Sequence, residues 1–416
     1  MNYNKIQELL ESCHNIVLTG APGTGKTYLA RKIAAQMVLG KDEIDFKKLT
    51  DDEKAVIKDR TAFVQFHPSY DYTDFVEGLR PNQQGDGIKF ERRDGIFKLF
   101  CKNAISAFSE TYDQLVEDIR EGRIETIPTK KKETAKLSVL DNGNIKWYSE
   151  QEENNTSSNC VSKKRLKKLY SQYDSIEKLN TIKSIDTDIK AVIRGCDATY
   201  YWAVLNYVLR KMQGSKPYVI IIDEINRGEL SKIFGELFFS IDPGYRGEKG
   251  RVRTQYQNLV TKLDQDGNED PFFEGFYVPE NVYIIGTMND IDRSIESMDF
   301  AIRRRFAWVE VKADKNIDML TKLGEIKDKA IEVMEALNKA VSGIDGLSSA
   351  YHIGASYFLK LDDYKDSDNP FKELWDYHLK GLLTEYLRGM GDAKDNMTKL
   401  EKAYYEAAGI NRQHQS

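Results

Sequence analysis

Residues 20–27 read GAPGTGKT. The run matches the pattern G-x-x-x-x-G-K-[ST] in full, and its flanks match as well. NIVLT at 15–19 is a short apolar strand pattern, and Leu29, Ile33, Ala34 and Met37 recur behind the run at helical spacing. Strand, glycine-rich turn and helix in that order leave few folds open. Glycines let the backbone curl so that successive N–H groups converge at a helix N-terminus, where the dipole favours an anion. Gly20, Ala21, Pro22, Gly23, Thr24, Gly25, Lys26 and Thr27 are therefore the candidate phosphate-binding residues. Lys26 supplies a point charge for the β- and γ-phosphates, and Thr27 a hydroxyl for Mg²⁺. A plain glycine turn is the competing reading, and the flanking context speaks against it.

Two further strands end where chemistry is expected. VIIIDEINR closes an apolar run on Asp223 and Glu224. In an open parallel sheet, side chains at a strand's carboxyl end face the ligand crevice. Asp223 is placed to hold Mg²⁺, and Glu224 to orient and deprotonate an attacking water. An ordinary charged strand cap is the alternative. Asn226 and Arg227 stand open between a nucleotide contact and an interface. VYIIGTM at 282–288 then repeats the pattern, with Asn289 placed to hold the water or the γ-phosphate, or else serving as a turn asparagine. Continuous apolar strands alternating with helices predict a parallel sheet covered on both faces.

The stretch DFAIRRRF at 299–306 puts three fixed cations at the entrance of a core strand. Phosphoryl transfer needs positive charge at the γ-phosphate, and an arginine delivered by a neighbouring subunit contributes about 10³–10⁵ in rate. Its rigid fork meets two phosphate oxygens at once. Arg304 or Arg305 is the expected finger, with Arg303 and the remaining arginine at the interface. A solvated basic turn paired with Asp299 is the alternative.

The 416 residues suggest more than one domain. A net charge of −5 gives no global basic field of the kind that announces nucleic acid. Cysteines at 13, 101, 160 and 196 form no CxxC pair and read as reduced thiols of a cytoplasmic protein. No apolar run approaches the ~18 residues of a membrane helix, so no membrane partner is expected. From about 111 to 198 the chain turns polar yet keeps strand-like pieces (137–140, 144–149) and helix-like ones (162–173, 185–194). A loop of that length is unusual in a compact domain, so it reads as an inserted domain, with disorder the alternative for 128–160. Within it, KKRLKK at 163–168 lies near Trp147, Tyr148, Tyr170 and Tyr173. This is either a solvated helix face or a contact for nucleic acid or a docking subunit. Beyond 312 the pattern is helical and charged.

Phosphate loop, DE pair, strand-end asparagine and arginine stretch in this order resemble an AAA+ NTPase. The strings VQFHPSYDYTDFVEGLRP, RRDGIFKLFC, IIIDEINRGELSKIFGE, FYVPENVYIIGTMNDIDRS and DFAIRRRF together resemble the McrB family, the AAA+ motor subunit of modification-dependent restriction systems of the McrBC type. The resemblance covers about 15–110 and 216–310, and the lid weakly through IGASYF at 353–358. It implies an α/β fold: an AAA+ P-loop core with a parallel sheet covered by helices, a small inserted α+β domain and a C-terminal helical lid. The implied boundaries are 1–110 and 199–311 for the core, 111–198 for the insert and 312–416 for the lid and tail. It also implies a hexameric ring, Mg²⁺, hydrolysis of GTP or ATP, an McrC-like nuclease partner and DNA movement through the complex. By matching positions, Lys26 and Thr27 bind phosphate and Mg²⁺, Asp223 is the metal-side carboxylate, Glu224 the base, Asn289 the sensor, and Arg304 or Arg305 the finger. Asp292 falls in NDID, where the family has NTAD.

The chain also departs from the family. Its phosphate loop begins at residue 20, so the expectation is that DNA is recognised elsewhere or that this is a short form. The insert has no matching counterpart. No NKxD guanine-reading motif occurs, so GTP rests on resemblance alone, and Arg388 is a weak lid-arginine candidate. The competing functions are a MoxR-like ATPase that remodels proteins and a nucleotide switch without turnover, the latter disfavoured by the intact Glu224.

Overall fold

The computed structural model describes residues 3–84, 87–105, 107–130, 133–149, 160–173, 176–195, 197–213, 217–262, 270–291 and 300–410. Five strands form one sheet: β1 (Asn15–Thr19), β2 (Thr61–Gln65), β3 (Tyr218–Asp223), β4 (Val282–Thr287) and β5 (Ala307–Glu310). Their spatial order is β5-β1-β4-β3-β2 and every pairing is parallel. Parallel strands joined by crossovers are covered on both faces, which is why β3 and β4 are written as unbroken apolar runs. Helix α1 (Lys26–Leu39) packs Leu29, Ile33 and Met37 with Ile16, Leu18, Ile221 and Ile285. It stops at Gly40, whose left-handed conformation (φ 63°) closes the last turn. On the other side Phe75 stacks on Phe97 at 4.8 Å, and Phe234 meets Phe75 edge-on at 4.8 Å.

The chain divides into two compact units, Met1–Cys101 with Pro217–Ser416, and Lys102–Lys216. The second is wider than the expected 111–198 because its flanking helices, Ala107–Arg120 and Ala198–Gln213, share its core. That core gathers Tyr112, Leu166, Leu169, Ile189, Tyr201 and Leu205 beside an antiparallel four-stranded sheet. Trp147 stacks on Tyr200, Tyr170 stacks on Phe108, and Tyr173 packs against the same cluster. Three of the four aromatics suggested for base contact are thus committed to packing. Lys163 pairs with Asp113. Residues 150–159 of the stretch suggested as disordered lie outside the described residues.

A hairpin absent from the sequence reading, Glu77–Gln84 against Gly87–Asp94, follows β2. Its base is tied by a wholly buried ion pair, Lys98 Nζ to Glu77 Oε2 at 2.5 Å, with Arg92 3.1 Å from the same oxygen. The C-terminal helical part packs Val333, Leu337, Trp375, Leu383 and Tyr404 into a separate core. Among the described residues no helix is long and apolar enough to cross a membrane. Cys13, Cys101 and Cys160 are free thiols; Cys196 lies outside the described residues.

Candidate active site

The carboxyl ends of parallel strands share one edge of the sheet, so the turns after β1, β3 and β4 converge there. Gly20 (φ 142°), Gly23 (φ 76°) and Gly25 (φ 82°) take backbone conformations that side chains resist. A Cβ on Gly20 would also lie 2.4 Å from the Val311 carbonyl oxygen. The C-terminal part grips the outer side of this loop. Gly354 N–H donates to Pro22 O (3.0 Å), Ser356 N–H to Gly23 O (2.9 Å) and Asn316 Nδ2 to Thr24 O (3.0 Å). In a trans peptide the C=O and the following N–H point in opposite directions. With those three carbonyls turned outward, the N–H groups of Gly23, Thr24 and Gly25 are turned inward. Lys26 is buried and its Nζ donates to Gly20 O (3.0 Å) and Ala21 O (2.8 Å), so its charge lies inside the loop.

Asp223 is fixed from two sides. Thr27 Oγ1 donates to its Oδ1 at 2.7 Å, and Thr287 Oγ1 donates to the same oxygen at 2.6 Å. The Thr287 hydroxyl in turn accepts from Glu224 N–H at 3.3 Å. Glu224 has φ 51°, a left-handed conformation costing roughly 1–2 kcal/mol for a residue with a side chain. The neighbours that hold it there are specific: Asn289 Nδ2 donates to Glu224 Oε1 at 2.7 Å, and Arg227 Nε lies 3.3 Å from Oε2. Asn226 is buried beside them.

The predicted phosphate loop, DE pair and Asn289 are therefore brought to one place. Thr27 and Asp223 present a hydroxyl and a carboxylate side by side, and hard oxygen donors of this kind fit Mg²⁺, which completes its shell with water and substrate phosphates. Sequence reasoning missed Thr287, Asn316 and Ser356. Thr287 was findable as the last residue of an apolar strand that pairs with Leu18 just ahead of the loop. Ser356 lies in the IGASYF string that resembles the family, which carried no assigned role, and Asn316 had no local signal.

The arginines separate into three environments. Arg303 lies over the Trp308 ring at 4.9 Å. Arg305 is largely buried, with Nε 3.8 Å from Asp242 Oδ2. Arg304 is exposed and its side chain has no partner among the described residues. The expected local partner, Asp299, lies outside the described residues, as does Asp292. Register sets the three apart from their own phosphate loop. Ala307 pairs with Ile16 and Glu310 with Thr19, so the arginines precede β5 at the amino edge while the loop leaves β1 at the carboxyl edge. At ~3.3 Å per residue the paired segment alone separates them by about 10 Å. Arg388 pairs with Glu385 at 2.6 Å, and no described contact joins it to the loop.

Comparison with known proteins agrees with this geometry. The AAA domain family of the dynein-related subfamily matches residues 164–306, which include the DE pair, Asn289 and the arginines. The family described as Novel STAND NTPase 3 matches residues 1–66, which include the phosphate loop. The chain is 28% identical over 382 residues to the Type IV methyl-directed restriction enzyme EcoKMcrB subunit of Escherichia coli (strain K12), covering 89% of this chain and 53% of that protein. It is 29% identical over 98 residues to the Type II restriction enzyme BsuMI component YdiS of Bacillus subtilis (strain 168), covering 24% of this chain and 28% of that protein. The chain thus spans about half the length of the first relative and less of the second. Sheet, loop and sequence likeness converge on an α/β P-loop NTPase fold of the AAA kind, and the chain is similar in sequence to the McrB subunit and, over part of its length, to the dynein-related AAA domains.

Proposed function

We propose that this chain hydrolyses a nucleoside triphosphate at a site shared by adjacent copies in a hexameric ring, and that it is the motor subunit of a restriction complex. The observation that carries the reading is Asp223 held between Thr27 and Thr287, with Glu224 and Asn289 hydrogen-bonded beside it. The inward N–H groups and Lys26 receive the β- and γ-phosphates. Thr27 and Asp223 hold Mg²⁺, which neutralises charge on the phosphate oxygens when bound. Glu224 takes the proton of a water that Asn289 helps to orient. Arg304 is the finger: it is exposed and, unlike Arg303 over Trp308 and Arg305 beside Asp242, its side chain has no partner among the described residues, and the amino-edge position directs it away from its own loop. The likeness to McrB favours GTP, with ATP the alternative base. Two relatives named as parts of restriction enzymes favour a DNA-moving complex with an McrC-like nuclease partner over protein remodelling.

The test is hydrolysis of GTP and ATP side by side, with and without DNA and the nuclease partner. It uses wild type, Glu224→Gln, Arg304→Ala and an equal mixture of the two variants. Each variant alone should lose at least about 100-fold. The mixture should recover up to about a quarter of wild-type turnover, because in a randomly mixed ring one site in four joins an intact Glu224 to a neighbour's intact Arg304. A mixture as inactive as its parts overturns the shared site. Full turnover by Arg304→Ala alone removes Arg304 from it.

A further inference from the structure

Beneath the arginine turn lies a buried polar cluster that neither nucleotide binding nor proton transfer uses. Asn15, the first residue of β1, is wholly buried. Its Nδ2 donates to Ile241 O at 2.8 Å and to Arg305 O at 2.9 Å, and its Oδ1 accepts from Arg246 Nη2. Arg246 is 1% exposed, and its Nε and Nη1 have no hydrogen-bond partner among the described residues. Burial lowers its guanidinium to about 10, against the opposing pull of Cys101, Tyr283 and Asp242. Asp242 Oδ2 also lies 3.8 Å from Arg305 Nε, a charge pairing without a hydrogen bond, while Arg305 Nη1 donates to Ala301 O within the turn itself. The segment from Ile241 to Arg246 therefore reaches the arginine turn twice, once at the Arg305 carbonyl through Asn15 and once at its guanidinium through Asp242.

A buried, under-partnered cation is unfavourable, and well-packed apolar side chains of similar volume usually serve stability as well or better. What an arginine adds at this place is direction. Asn15 alone can rotate; with its acceptor occupied by Arg246, both of its N–H groups are committed to the two carbonyls. Arg304 is the next residue back along the chain from the carbonyl so fixed.

We propose that Arg246, Asn15 and Asp242 are positioning residues for the arginine turn, holding Arg305 so that Arg304 projects toward a second copy's triphosphate. The proposal rests on the shared-site reading above. Arg305 is then a strut rather than a finger. Loss of any member leaves the phosphate loop, DE pair and Asn289 of the same chain intact and harms only the site to which that chain lends its arginine.

That asymmetry provides the test. In the mixture described above, Glu224→Gln protomers lend the arginine and Arg304→Ala protomers own the working site. Asn15→Asp keeps a partner for Arg246 but removes both donated hydrogens, and Arg246→Lys keeps the charge but removes the fork. Asp242→Asn is the gentlest change, because its side-chain oxygen still accepts from Gly244 N–H. Each is added first to the lender and then to the owner. In the lender, kcat of the mixture should fall about 10- to 100-fold with KM for the nucleotide within about threefold, as expected of a misaimed group. In the owner, turnover should stay within about twofold, since its own arginine turn is already silent. Equal loss on both sides, or loss on neither, overturns the positioning role. Thermal melting of each protomer identifies a variant that fails to fold, and Asp242→Asn then carries the decision. Failure of the parent mixture to recover activity refutes the shared site itself and is seen before any positioning variant is added.

Discussion

Gly354→Ala is the sharpest probe of the grip between the C-terminal part and the phosphate loop. Gly354 has φ −82° and ψ 164°, a conformation open to alanine, so the substitution acts through contact alone. The added Cβ would lie 2.1 Å from the Gly23 carbonyl carbon, 2.3 Å from its oxygen and 2.3 Å from Thr24 N. Ordinary contact begins at 3.4 Å, so the two backbones must part by about 1.3 Å. That shift breaks the Gly354–Pro22 and Ser356–Gly23 hydrogen bonds, now 3.0 and 2.9 Å. Two such bonds are worth about 1 kcal/mol each and forced overpacking about 1–3 kcal/mol, so the grip loses about 3–5 kcal/mol. Freed carbonyls let the loop peptides rotate and the inward N–H groups lose their common centre. Nucleotide affinity, measured calorimetrically with Mg²⁺ present, should fall about 100-fold or more. Gly381→Ala is the control, with nothing within 4 Å of its Cβ in an exposed position of helix Lys380–Tyr386. It should bind normally and gain about 0.5–1 kcal/mol of stability. If Gly354→Ala binds nucleotide within threefold of wild type and melts with it, the grip does not shape the loop.

Much of the site was legible because its parts are local. A parallel strand buried on both faces must be written as an apolar run, and the residue that ends it must be polar if it meets a ligand. That logic finds Lys26, Asp223, Glu224 and Asn289 without knowledge of any pairing. Thr287 escapes it, since a threonine at a strand end has many uses; its role emerges only when register sets it across from Leu18. The grip on the loop escapes entirely, because Pro22 and Gly354 are more than 300 residues apart and the bonds run through backbone groups that every sequence has. The three arginines look alike in sequence. A tryptophan, an aspartate and open solvent tell them apart. The hairpin after β2 was missed because Pro81 and its glutamines hide any strand alternation. The Gly-Asp-Gly at 85–87 was the one turn signal on offer.

Three further outcomes are expected. Thr287→Val keeps the shape but removes the hydroxyl that donates to Asp223 and accepts from Glu224. Steady-state turnover should fall about 10- to 100-fold while Thr287→Ser stays near wild type, and a fully active valine variant would refute the role. Lys98→Met leaves the buried Glu77 carboxylate with Arg92 as its remaining cation and should cost about 3 kcal/mol in urea unfolding, largely recovered by adding Glu77→Gln. A double variant no better than the single one would show that packing, not charge, is at stake. The third outcome concerns acid. Burial first, then the Arg246 charge, lowers the His14 imidazole from 6.5 to about 4. The unfolded chain therefore takes up this proton below pH 6.5 while the folded chain refuses it until about pH 4. The contribution is complete above pH 6.5 and drains away as pH falls through that window. For a ring part-exposed to solvent the loss between pH 7.5 and 5 is about 1 kcal/mol after screening. His14→Asn tolerates the φ of 59° at this position and should remove that increment. Equal acid losses for variant and wild type would mean that the ring is not held neutral by its surroundings.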